Sequence, residues 1–210
     1  METPTQLQLL IYRKYMEQFV VFNDDEWSIF IEHLYLKKIK KKDFFVEAGK
    51  VCNEVGFILR GAVRYYNVKD GEEITGYFSL ENELMSSYTS FLTQTPSTAY
   101  IEAIENTHLI VFNKTSLLQL FDDPRINLKA ERFARIIAET IIICYDDRVN
   151  AFVTQSAEER YINLLQSDSN ILTRIPQHYI ANYLGITPVS LSRIRKRITK
   201  LQPQLKRATL

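Results

Sequence analysis

Cysteine, histidine and tryptophan are scarce in this chain of 210 residues, which has two, three and one of them respectively. Cys52 and Cys144 stand far apart, so neither a disulfide framework nor a four-thiolate iron–sulfur cluster is available, and both read as small buried apolar residues. His33, His108 and His178 are scattered without metal-ligand spacing, and no nucleophile motif or glycine-rich phosphate loop occurs. No catalytic residue, metal or cofactor is therefore expected, and nothing asks for an enzyme. There is no apolar run of 18 residues, and the start Met-Glu-Thr-Pro-Thr lacks the basic and apolar stretches of a signal peptide. The expectation is a cytoplasmic protein with no membrane partner.

What is present is an uneven distribution of charge. The net charge of +1 conceals a segment, residues 171–210, that holds eight Lys and Arg (Arg174, Arg193, Arg195, Lys196, Arg197, Lys200, Lys206 and Arg207) and no Asp or Glu. The rest of the chain keeps 18 basic residues against 25 acidic ones. A basic terminal piece on an acidic body is the electrostatic footprint of a phosphate-binding module.

Within that piece the stretch from Ile175 to Lys200 predicts two helices meeting at a tight turn. Ile180 and Leu184 form an apolar pair with the small Ala181 between them, and Gly185 supplies a residue able to close a helix in the left-handed region. Thr187 is a capping hydroxyl, and Pro188 fits a first helical turn. At 100° per residue, Leu191, Ile194, Ile198 and Leu201 share the core side of the second helix. Val189, Ser192, Arg193, Lys196 and Lys200 share the other side. This is the pattern of a DNA-binding helix-turn-helix. The residues expected at double-stranded DNA are His178, Thr187, Pro188, Val189, Ser190, Ser192, Arg193, Arg195, Lys196, Arg197 and Lys200. The competing interpretation is a non-DNA signalling or adaptor module whose basic tail binds an acidic protein or RNA.

Upstream, residues 5–20 predict a helix with Leu7, Leu10, Ile11, Tyr15 and Phe19 along one side. Asn23, with Glu26 three residues on, opens a second helix carrying Trp27, Phe30, Ile31 and Leu34. The run from Lys37 to Lys42 leads into strand-like sequence and reads as a solvated edge strand rather than a nucleic-acid patch. From Asp43 to Asn113 the period changes to 2, with breaks at Gly49, Gly61, Gly71 and Pro96, as in a compact antiparallel barrel or sandwich. The clearest hairpin turns at Asp70-Gly71, and strands at Ala99–Ile104 and His108–Phe112 would close the sheet. Such a barrel either holds one small ligand or is filled by its own side chains. Thr115–Phe121 reads as a short helix. From Arg125 to Phe152 nothing breaks a long one, in which Ala130, Phe133, Ile137, Ile141, Cys144 and Ala151 recur near every 3.5 residues, interrupted by Arg148. One face of it can dock on the barrel and another on a partner, and Phe133, Ile137, Ile141 and Cys144 are the expected dimer contact. Ser156 with Glu159 is a capping box that opens a helix through Leu165, and residues 167–170 read as a linker.

The order of acidic β-roll, long helix and terminal helix-turn-helix resembles the CRP/FNR family of bacterial transcription regulators over nearly the whole chain. The stretch from Ile180 to Lys196 carries the resemblance most specifically, and Gly56-Phe-Ile-Leu-Arg-Gly-Ala-Val carries it in the barrel. The resemblance implies an α+β fold: an N-terminal antiparallel β-roll of the double-stranded β-helix or jelly-roll type with flanking helices, a long dimerisation helix, and a C-terminal winged-helix-like helix-turn-helix. The corresponding domains are 1–124 (sensor), 125–154 (dimerisation helix and hinge) and 155–210 (DNA binding). It also implies a homodimer on a two-fold symmetric DNA site, RNA polymerase as a candidate partner, and an effector in or near the roll. The family's ribose and cyclic-phosphate pairs fall on Met85-Ser86 and Ser97-Thr98, where the required carboxylate and guanidinium are missing. Those four residues are the candidate effector pocket, for an unidentified small molecule and not for cAMP. The family's base-reading positions fall on Pro188, Val189 and Arg193.

Overall fold

The computed structural model describes residues 2–167 and 171–208, with the side chains of Ser167 and of residues 200–208 left aside. It divides into two compact units, Met1–Ile142 and Ile143–Leu210.

The first unit opens with α1 (Gln6–Met16) and α2 (Asp24–Ile31), each started by a reciprocal capping box, Thr5 with Gln8 and Asn23 with Glu26. Eight strands follow: β1 (Tyr35–Ile39), β2 (Phe44–Val46), β3 (Glu54–Arg60), β4 (Val63–Lys69), β5 (Glu72–Ser79), β6 (Leu84–Met85), β7 (Tyr100–Ala103) and β8 (Thr107–Asn113). They form two antiparallel sheets, ordered β1-β8-β3-β6 and β2-β7-β4-β5. The β4–β5 turn places both Asp70 and Gly71 at positive φ, 54° and 81°, as a two-residue hairpin with the twist of its strands requires. Strand β1 is an edge, and its lysines are held as a solvated border would hold them, Lys37 on Glu54 and Lys38 on Glu2.

Alternation sorts the strand residues onto two cores. Ile39, Phe45, Ile58, Val63, Met85, Ile101, Leu109 and Val111 fill one of them with side chains from both sheets. Their neighbours Val55, Phe57, Ile110 and Phe112 join the other, with Tyr12, Met16, Trp27, Phe30, Leu120 and Phe133 from the helices. Strands buried on both faces read as continuous apolar runs, which is why Leu109–Phe112 shows no polar alternation. Two short helices escaped the sequence reading: α3 (Tyr88–Thr93), whose Thr and Ser residues give weak helix propensity, and the single turn α7 (Ile171–Arg174).

After α4 (Lys114–Asp122), α5 (Asn127–Thr154) runs for 28 residues. Its Ala130, Phe133 and Ile137 are buried in the aromatic core of the first unit. In the second unit lie α6 (Ala157–Ser167), α7 (Ile171–Arg174), α8 (Gln177–Tyr183) and α9 (Pro188–Ala208). The described residues of this unit form helices only, so the wing expected of a winged-helix domain is not seen among them. No described helix is long and apolar enough to cross a membrane.

Candidate nucleic-acid interface

The α8–α9 turn is built from a complete set of backbone partners. Ile180, Ala181 and Leu184 are buried, and α8 packs on α9 where Leu191 and Ile194 are buried as well. Gly185 takes φ +70°; its N–H donates to Asn182 O and the Ile186 N–H to Ala181 O, each at 3.0 Å. This pair of bonds is a Schellman stop. The next helix begins at once: Leu191 N–H donates to Thr187 O at 3.0 Å, and Ser190 N–H to the Thr187 hydroxyl at 3.2 Å.

Two carbonyls at the end of α8 remain, and arginines take both. Arg148 donates to Tyr183 O and Arg160 to Leu184 O, each at 2.9 Å. Both guanidiniums lie over the Phe152 ring, at 4.7 and 4.6 Å from its centroid, and Arg148 also lies 3.6 Å over the Tyr183 ring. Burial pushes the Tyr183 hydroxyl above its ordinary pKa, with Arg148 pulling the other way. A Cβ on Gly185 would come within 3.2 Å of Phe152. The glycine is therefore fixed by conformation and by contact. Sequence reasoning missed this cluster, although Arg148 breaking an apolar repeat was its signal.

Helix α9 divides as its periodicity predicts. Leu191 and Ile194 face inward and Ile198 is half-buried, whereas Val189, Ser192, Arg193, Arg195, Lys196 and Arg197 are exposed. Pro188 and Thr187 are exposed at its start, and the half-buried Ser190 shares a hydroxyl contact of 3.0 Å with Thr187. Among the described residues no acid pairs with Arg193, Arg195 or Lys196. Arg197 differs: both its Nε, at 3.1 Å, and its NH2 bind the Glu158 carboxylate, so in the free chain it braces α9 against α6. His178 is exposed on α8 with its ring 4.1 Å from that of Tyr179. The Lys200 side chain lies outside those described.

The expected dimer residues do not form one outward face. Phe133 and Ile137 are 4% and 8% exposed within the single chain and Ile141 packs against the same core, which leaves Cys144 alone exposed. Phe133 and Ile137 are consumed by their own unit, and the 3.5-residue repeat recorded that inward face. A different stripe of α5 is exposed. Ile142, Tyr145, Val149 and Val153 are each more than 60% accessible.

The candidate effector residues are brought near one another and are engaged internally. Met85 is part of the roll's filled core. The Ser86 hydroxyl donates to Glu54 O at 2.9 Å, and the Ser97 hydroxyl lies 2.9 Å from that of Ser87 and donates to Ala99 O at 2.7 Å. Thr98 is exposed. Arg64 is buried on the face of β4 opposite the inward Val63. It is bound to Glu73 at 2.7 Å and Glu102 at 2.6 Å, over the Tyr66 ring at 4.1 Å. The Tyr66 hydroxyl is pushed up to about 12, chiefly by burial and then by Glu73 and Glu102.

Residues 36–123 match the cyclic nucleotide-binding domain family. No curated protein matches the sequence. Among solved structures, FixK2 from Bradyrhizobium japonicum is similar at 19% identity and a TM-score of 0.66, over 81% of this chain and 85% of that one. The c-di-GMP responsive global regulator CLP of Xanthomonas campestris gives 13% identity, a TM-score of 0.66 and coverages of 85% and 92%. The Thermus thermophilus catabolite activator protein gives 19% identity, a TM-score of 0.53 and coverages of 87% and 86%.

Proposed function

We propose that this chain, which has the fold of the CRP/FNR transcription regulators and a β-roll of the cyclic nucleotide-binding domain family, is a cytoplasmic, homodimeric, sequence-specific DNA-binding transcription regulator. The observation that carries the reading is the capped α8–α9 turn, which presents Arg193, Arg195 and Lys196 on an exposed face with no acidic partner among the described residues. An acidic-partner tail would need the charges but not the turn. The first turns of α9 enter the major groove, where Arg193 donates two hydrogen bonds to a guanine, the Val189 methyls pack on a thymine methyl, and Arg195 and Lys196 hold phosphates. Two such helices, one per protomer, read half-sites about 34 Å apart.

The dimer contact is assigned to the exposed stripe of α5. Ile142, Val149 and Val153 fall within roughly 20° of one line at 100° per residue, with Tyr145 at its border. The roll does not answer to cAMP, because the residues at the family's ribose and phosphate positions offer Met85, Ser86, Ser97 and Thr98, whose polar groups are bonded within the roll or open to solvent. Titration calorimetry at millimolar cAMP is expected to be flat, and saturable heat lost on changing Ser97 would overturn this.

Selection of bound fragments from random duplex DNA by the full chain tests the main reading. A two-fold symmetric motif is expected. Retention of RNA or acidic protein with no enriched duplex motif would instead identify the basic tail as an adaptor.

A further inference from the structure

We propose that Arg148 and Arg160 are positioning residues for DNA reading, a two-guanidinium clamp that fixes where α8 stops and hence how α9 is presented. The proposal rests on the DNA-reading function above. A helix leaves its last four carbonyls without intrahelical partners, and each must be met by something else. Here the turn meets Ala181 O and Asn182 O, and arginines from α5 and α6 meet Tyr183 O and Leu184 O. Cations at a helix C-terminus also oppose its partial negative charge. Arg160 reaches back to Gln155 O at 2.5 Å, so the same side chain ties the α5–α6 connection to the turn. Phe152 lies under both guanidiniums and against Gly185, so side chains from α5 and α6 together hold one stop.

Only Gly185, Ile186 and Thr187 separate the clamped Leu184 from the first residue of α9. With so short a connection, a frayed end of α8 transmits directly to the pitch of α9, and the clamp contacts the turn without reaching for phosphate. Its loss should therefore weaken reading without altering the ionic component. This differs from a phosphate contact, whose removal lowers the slope of log K against log salt by about one per half-site.

The full chain carrying Arg148→Ala, Arg160→Ala or Arg148→Lys is compared with wild type in three measurements: affinity for the selected duplex, its salt slope, and amide exchange at Gly185 and Ile186. The alanine variants are expected to bind about tenfold or more weakly, given the strength of hydrogen bonds to charged donors, with an unaltered slope and faster exchange at both amides. Arg148→Lys should recover part of both losses. Equal affinity with unchanged exchange would overturn the proposal, as would a slope lowered by one. Exchange is read without DNA, so a chain that selects no duplex still decides the clamp, and a chain that selects one and keeps its affinity in the alanine variants fails the clamp alone. If Arg160→Ala loses its helical signal, the two Arg148 variants carry the test.

Discussion

Arg193 and Arg197 stand one turn apart on α9, both exposed, with different partners. Arg197 is held by Glu158 through two nitrogens, while Arg193 meets no acid among the described residues. Arg193→Ala is expected to cost about 1–3 kcal/mol of binding and to relax preference at one symmetric base-pair position. Lys196→Ala should weaken all sequences alike and reduce the salt slope by about one per half-site. Motif profiles of the two variants decide this, and an unaltered Arg193→Ala motif would make Arg193 a phosphate contact. Glu26 shows the same dependence on partners in the first unit. Its carboxylate accepts hydrogen bonds from the Lys129 ammonium at 2.6 Å and from the Asn23 N–H at 2.7 Å, and Lys129 first, then Asn23, holds its pKa below the ordinary 4.5 against the opposing effect of burial. A depressed carboxyl stabilises the fold above its unfolded value, and the contribution is lost as pH falls through the folded one. Glu26→Gln should melt below wild type at about pH 7, with the gap closing as pH falls below the ordinary carboxyl value of 4.5; a gap independent of pH would assign the loss to capping alone. Local residue patterns showed the Asn23 cap and the exposure of Arg193. Glu158 and Arg197 are 39 positions apart and carry no periodic signal, so their pairing was not legible.

At the scale of elements, the turn types and alternations in the sequence were sound guides. The Asp70-Gly71 hairpin, the β1 edge and the Ser156–Glu159 box all depend on contacts within a few residues or on a repeat of two. The inward face of α5 was misassigned because burial against one's own core and burial against a partner impose the same repeat, and only the rest of the fold distinguishes them. The α8 stop was legible at Gly185 and hidden at its other half, since donors for main-chain oxygens can come from any distance. Gly185→Ala should cost about 1–2 kcal/mol from the left-handed backbone alone, with a further contribution from crowding Phe152. Urea midpoints of the full chain check it, and an unchanged midpoint would show that the turn relaxes to another conformation.

For the whole molecule, the two sides of α5 make separable predictions. Ile137→Asp places a charge in the aromatic core and should unfold the first unit, whereas Ile142→Asp should leave it folded and produce monomer by sedimentation. A dimer unchanged by Ile142→Asp would move the contact off this stripe. Arg148 lies about 120° around the helix from Ile142 at 100° per residue, so the proposed pairing stripe and the proposed clamp should be damaged independently. On the proposed dimer, a chain with Arg148→Ala should still pair, and in a cell holding equal amounts of both forms, random pairing would leave about a quarter of the dimers with two sound reading heads. Such an allele would be dominant over wild type, whereas Ile142→Asp, unable to join a partner, would be recessive.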